Sequence, residues 1–202
     1  MNIIQKILKS NTTTIGYDSF NEKNVKKIIN FIPNVTSFEE TESDDILEHF
    51  NSISYKRNYN LDSILNDGDK SVHYIVINLS SLIFKTDDLI LRSKLILDFS
   101  QSLKTTLYNL SHNESSTQFK VIFLIQLNRI FNNSNNNFSL SSNSFSNNTK
   151  ITYLSDLVIR LSANKLYIDK DRDSIERVIG YDTKNELREI SINQILNDIY
   201  NL

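Results

Sequence analysis

Glycine-rich turns are the usual cradle for nucleotide phosphates, so the glycines bear first on what chemistry this chain could do. There are three in 202 residues, Gly16, Gly68 and Gly180, and they lie far apart. Neither GxxxxGK[ST] nor GxGxxG can be drawn anywhere. The chain has no cysteine, which removes disulfides, thiolate nucleophiles and cysteine metal sites. His49, His73 and His112 are scattered and make no zinc centre without carboxylate help. His73 precedes an apolar run and reads as a satisfied sheet-edge histidine. Spacing alone yields no Ser/His/Asp triad and no catalytic carboxylate pair. The expectation is a chain with no catalytic residues, no metal and no cofactor.

What remains is charge. Lys85, Arg92 and Lys94 form one basic group, and Arg129 and Lys150 bracket a polar stretch. Arg160, Lys165, Lys170, Arg172 and Arg177 form a third group near the C-terminus. Mobile cations of this kind suit phosphate contacts, each releasing counterions. Asp87, Asp88, Asp169, Asp171 and Asp173 partly cancel them. Phe131, Phe138 and Phe145 recur at seven-residue spacing in the polar stretch, where they could stack on bases or dock a partner. With 22 basic and 24 acidic residues the net charge is -2, so any nucleic-acid binding must be regional.

The length suits a single domain with a real core. No apolar run approaches the roughly 18 residues of a spanning helix. The N-terminus MNIIQKILKS lacks the continuous apolar stretch and cleavage site of a signal peptide, so an intracellular location is expected. Thr12 to Tyr17 is β-branched and aromatic, a strand. Val25, Ile28, Ile29 and Ile32 mark a helix that Pro33 stops. Asn34 to Phe38 reads as a second strand, and Ser43 with Asp44 and Asp45 starts a helix buried through Ile46, Leu47, Phe50 and Ile53.

Residues 72–84, VHYIVINLSSLIF, form the strongest strand, nearly continuous in apolar residues over Tyr74 to Ile77, as when helices cover both faces of a sheet. A helix follows through Leu91, Leu95, Ile96, Phe99, Leu103, Leu107 and Leu110, and Phe119 to Leu127 is a second central strand. Together they make a right-handed βαβ crossover. Between Asn132 and Thr149, 14 of 18 residues are Asn or Ser, a composition expected to form a mobile loop. Tyr153 to Ile168 feeds a strand, Asp169 to Ser174 reads as a charged turn, and Ile175 to Tyr181 as the returning strand of a hairpin. Leu187 to Tyr200 supplies a short strand and a last helix.

The order of these elements meets a family. IVINLSSLIFK, Ile75 to Lys85, resembles the Walker B strand of RecA-like recombinases, with Asn78 at the acidic position. The next strand ends at Gln126, where the family has a nucleotide-sensing glutamine leading into its second DNA-binding loop, and the Asn/Ser insert sits where that loop belongs. YLSDLVIRLSANKLYIDKDRDSIERVIGYD resembles the family's closing hairpin. The similarity covers roughly residues 72–192 and points to the eukaryotic strand-exchange recombinase and its paralogs.

The resemblance implies an α/β fold, a single RecA-like domain over residues 1–202 with a mostly parallel sheet, flanking helices and a C-terminal β-hairpin, lacking the P-loop. It implies a degenerate ATPase, with Asn78 and Gln126 as the altered or vestigial positions and with Lys85, Arg92, Lys94, Arg129 and Lys150 as candidate DNA contacts. The implied role is that of a noncatalytic paralog, like the Shu complex subunits. Such a protein pairs with another RecA-like paralog and the recombinase, binds DNA and promotes filament assembly in homologous recombination in the nucleus. The alternative is an ATPase-lacking RecA-like subunit of the Elongator accessory complex, acting in tRNA modification. On this reading the family's first strand and phosphate loop have no counterpart upstream. The sheet edge left uncovered would then call for a partner.

Overall fold

A computed structural model describes residues 3–57, 71–86, 88–112, 117–127, 149–162, 165–172 and 181–182. Helix α1 (Ile3–Lys9) leads into β1 (Thr12–Tyr17), and a 3-10 turn, Ser19–Asn21, runs into α2 (Glu22–Asn30). Then come β2 (Val35–Phe38), α3 (Ser43–Arg57), β3 (Ser71–Asn78), α4 (Leu89–His112) and β4 (Thr117–Gln126). Helix α5 (Thr149–Leu154) precedes β5 (Leu157–Ser162), β6 (Lys165–Asp171) and β7 (Tyr181–Asp182).

The seven strands form one sheet in the order β2-β3-β4-β1-β5-β6-β7. The first five in that order are parallel, and β6 and β7 join antiparallel. The sheet is covered on both faces, which is why β3 and β4 are apolar without alternation. Tyr74, Val76, Ile122, Leu124 and Ile15 pack with Ile4 and Ile7 of α1 and Val25 and Ile28 of α2. Ile75, Ile77, Val121, Phe123 and Ile125 pack on the other face with α3 (Ile46, Phe50), α4 (Phe99, Leu103, Leu107) and Ile151 of α5. The period-2 pleat sorts neighbours such as Ile122 and Phe123 to opposite layers. The fold is therefore the expected α/β one, a mostly parallel sheet flanked by helices and closed by antiparallel strands.

Two expectations are corrected. The first strand is present: β1 lies in the sheet interior, hydrogen-bonded to β4 on one side and β5 on the other. The argument for a partner covering its missing place therefore falls. The hairpin is also displaced. Asp169, Lys170 and Asp171 belong to β6, not to a turn, and β5 pairs with β6 directly from Leu157↔Asp171 to Ser162↔Lys165. The run of charge looks like a turn, but each member has a distant partner: Arg160 for Asp169, the α5 carbonyls for Lys170, Lys6 for Asp171. Helix α1, not expected from the sequence, buries Ile3, Ile4 and Ile7 on one stripe. The Asn/Ser stretch up to 148, Arg129, Arg177, the returning strand before Tyr181 and the C-terminal helix lie outside the described residues.

Candidate functional site

In open parallel sheets ligands sit at the carboxyl ends of the strands, where the strand order switches. Here that is the tip of β1, from which the chain crosses to the far edge at β2 while β4 and β5 flank β1. The residues at this tip are Tyr17 and Asp18, with Asn78 ending β3 and Gln126 ending β4. The four lie together, so the two positions singled out by the resemblance, Asn78 and Gln126, do converge on the turn after β1.

The tip is bound up within itself. The Asn78 side chain hydrogen-bonds the Tyr17 hydroxyl, and its Oδ1 accepts from the Ser80 amide at 3.2 Å. Ser80 Oγ accepts from the Gln126 amide at 2.7 Å, and the Leu127 amide donates to the Tyr17 carbonyl at 2.7 Å. The Gln126 side chain is exposed.

Asp18 decides what the turn after β1 can hold. The start of a helix presents amides that nothing in the helix satisfies, and these are what bind phosphate in a phosphate loop. Here the buried Asp18 carboxylate takes them: Oδ1 accepts from the amides of Phe20 at 3.0 Å and Asn21 at 3.2 Å. It also accepts from Asn21 Nδ2 at 2.9 Å. The chain thus supplies its own anion, and no glycine opens the turn for another.

Electrostatics act in the same direction. Glu22 and Glu39 lie near enough to Tyr17 to hold its phenol above the ordinary range, although burial is the larger cause. The one ammonium in this group, Lys26, is paired with Glu22 at 2.8 Å. Three carboxylates beside one cation repel a polyphosphate. Tyr17 and Tyr74 are both raised, Tyr74 by burial, so the folded chain holds these protons to higher pH than the unfolded one. The stability they contribute is present below the unfolded pKa of about 10 and is lost as pH rises through the folded values. In ultraviolet titration of phenolate, Tyr17→Phe and Tyr74→Phe should each remove a component that titrates above the ordinary tyrosine range. Titration of Tyr17 at or below the ordinary value would contradict the geometry.

The candidate DNA contacts fall elsewhere. Lys85 is exposed after β3 and pairs with Glu42 at 3.4 Å and Asp44 at 3.6 Å. Arg92 Nη2 donates to the Leu82 carbonyl at 3.3 Å, and its guanidinium lies 6.0 Å from the Phe84 ring centre. Lys94 is exposed on α4. Lys150 falls in α5, with its side chain outside the described residues. Arg160 is turned inward onto Asp169. His73 is hydrogen-bonded as expected, Nε2 meeting Thr36 Oγ1 at 2.9 Å and the ring meeting Phe119 edge-on, but it lies on β3, between β2 and β4, and not at a sheet edge. Asp18 and Tyr17 were not singled out from sequence, although an Asp followed by helix-starting residues is a visible cap signal.

Among the described residues no group of His, Asp and Glu could hold a metal ion, and no helix is long and apolar enough to cross a membrane. No known family profile and no curated protein matches the chain. Among solved structures it is similar to one described as a DnaB-like replicative helicase and its interactions with primase, at 15% identity and a TM-score of 0.42. That likeness covers 81% of this chain and 47% of that one, so the chain spans about half the helicase's length.

Proposed function

We propose that this chain is a noncatalytic RecA-like subunit that acts by binding partners, in homologous recombination beside a second paralog and the recombinase. The observation that carries the reading is the Asp18 carboxylate seated on the amides at the start of the helix after β1, with an amide, Asn78, where a Walker B strand would offer a carboxylate to magnesium. A phosphate loop needs those amides and a lysine, and the metal needs an anionic ligand. The resemblance of the central strands, with Asn78 and Gln126 at their ends, supports the recombination context. In this reading Lys94 and the segments bearing Arg129 and Lys150 offer the DNA contacts. Lys85 and Arg92 serve the surface on which they are already paired.

Purified protein is expected to show no magnesium-dependent ATP binding by calorimetry and no hydrolysis, and Asn78→Asp should not restore either. Expressed in its native cell with an affinity tag, it should copurify with a RecA-like paralog. Recovery of tRNA-modification subunits instead would move the reading to the Elongator accessory complex. Magnesium-dependent hydrolysis lost on mutation of Asp18 or Asn78 would overturn it.

A further inference from the structure

At the opposite end of the sheet, where the strands begin, a cleft of about 220 Å³ lies between the last turns of α4 and the starts of β1 and β4. We propose that it binds a flat heteroaromatic ligand bearing one phosphoryl group, in chemical class a nucleoside monophosphate. The volume is below the roughly 300 Å³ of most ligand pockets, which suits one ring with one anionic group and not a dinucleotide.

The apolar part of the cleft is lined by Leu107, Phe119 and Val121. Beside it the rings of Tyr108 and His112 are stacked, with centroids 3.9 Å apart. The pair is held by His112 Nδ1 against the Tyr108 carbonyl at 2.9 Å. Tyr108 is 60% exposed, unusual for so large an apolar group, and a ready platform for a base.

The charge is at one end. Arg172 uses Nη1 on Asp156 at 2.7 Å, and its other side-chain donors have no protein partner among the described residues. The second Asp156 oxygen is already taken by the Thr12 amide at 3.1 Å. Lys104 reaches the Leu154 carbonyl at 2.5 Å, and Lys170, behind it, the carbonyls of Thr152 and Tyr153. Two cations, Lys104 and Arg172, therefore line the cleft with one carboxylate whose oxygens are both occupied, and the charge of Lys170 acts on both. Burial holds both lysines below the usual range; the charge of Arg172 lowers them further, while Asp156 acts in the opposite direction. A phosphoryl group would relieve that repulsion and suit the guanidinium's geometry. Asn11 and Gln118 also line the cleft with side-chain amides, joined at 3.4 Å, of the kind that pair with a base edge.

This site is independent of the Asp18 turn, so its test separates from the ATPase test: binding here should need no magnesium and be unchanged in Asn78→Asp. Calorimetry of the full chain with AMP, GMP, CMP and UMP should find at least one that binds. Its unphosphorylated nucleoside, and inorganic phosphate alone, should each bind roughly tenfold or more weakly. Arg172→Gln and Tyr108→Ala, both at exposed side chains and checked for an unchanged melt, should each weaken binding roughly tenfold, and Lys85→Gln should not. Hexanucleotides with and without a 5′-phosphate distinguish the source. A phosphorylated end that binds tighter than the mononucleotide makes the ligand a nucleic-acid terminus, and the reverse makes it a free nucleotide. Failure of all four mononucleotides at millimolar concentration overturns the proposal, as does affinity indifferent to both variants.

Discussion

Asp18→Ala is expected to lower the unfolding free energy by about 2–4 kcal/mol, the cost of removing a cap and leaving the Phe20 amide and the buried Asn21 Nδ2 without their acceptor, while the Asn21 amide keeps its bond to the Asp18 carbonyl at 2.9 Å. In a chain of this length that is roughly 4–16 °C in melting temperature. The mechanism is local: the carboxylate joins Phe20, Asn21 and the Asn21 side chain into the turn that starts α2, and α2 delivers Val25 and Ile28 to the core. Asp18→Asn keeps an acceptor and loses only the charge, so it should cost roughly 1 kcal/mol. Urea unfolding of the three proteins at one concentration makes the comparison. Equal loss in Asn and Ala would assign the effect to the charge alone, and no loss in either would mean that the turn is held by something other than Asp18. The result bears on function, because a residue that the fold requires at the head of this helix cannot give way to a phosphate.

Local signals made most of the layers legible. The apolar runs of β3 and β4, the long stripe of α4 and the Pro33 stop all reflect short-range physics: period, burial on two faces and the missing proline N–H. The place of β1 was not legible. Thr12 to Tyr17 reads as a strand, but its neighbours are Val121 to Gln126 and Leu157 to Leu161, more than a hundred residues away. No glycine loop follows it to mark it as a strand of the sheet interior. The hairpin register failed for a related reason. Asp169, Lys170 and Asp171 carry charges that only tertiary partners make compatible with a strand, and the closest of those partners, Arg160, is nine residues away. Of the site, Asn78 and Gln126 are marked by the resemblance, whereas Tyr17 and Asp18 lie at the end of a strand whose place in the sheet depends on distant residues. Lys104 and Arg172 meet only because α4 and β6 end on the same side of the sheet.

The second large effect is expected at the β5–β6 pair. Arg160 and Asp169 form two parallel bonds, Nε to Oδ2 and Nη2 to Oδ1, both 2.8 Å, and the guanidinium lies 4.5 Å from the ring centre of Tyr167, its partner across the ladder. Both side chains are largely buried, at 10% and 20% exposure. Removing one member of such a pair strands the other charge, so Asp169→Ala should cost about 3–5 kcal/mol. The charge itself adds little net stability, because both ions were taken out of water to make it. Replacing both, Arg160→Met with Asp169→Leu, should therefore return to within about 1 kcal/mol of the parent. Urea unfolding of Asp169→Ala, and of Arg160→Met and Asp169→Leu singly and together, makes the measurement and completes a mutant cycle. A cost below about 1 kcal/mol for Asp169→Ala would show a screened surface pair instead, and would leave Arg160 available for the phosphate contact that the basic strand of the resemblance implies. The expected result closes that route: a guanidinium bonded on both prongs and covered by a tyrosine ring holds β5 to β6 and is not free for a phosphate.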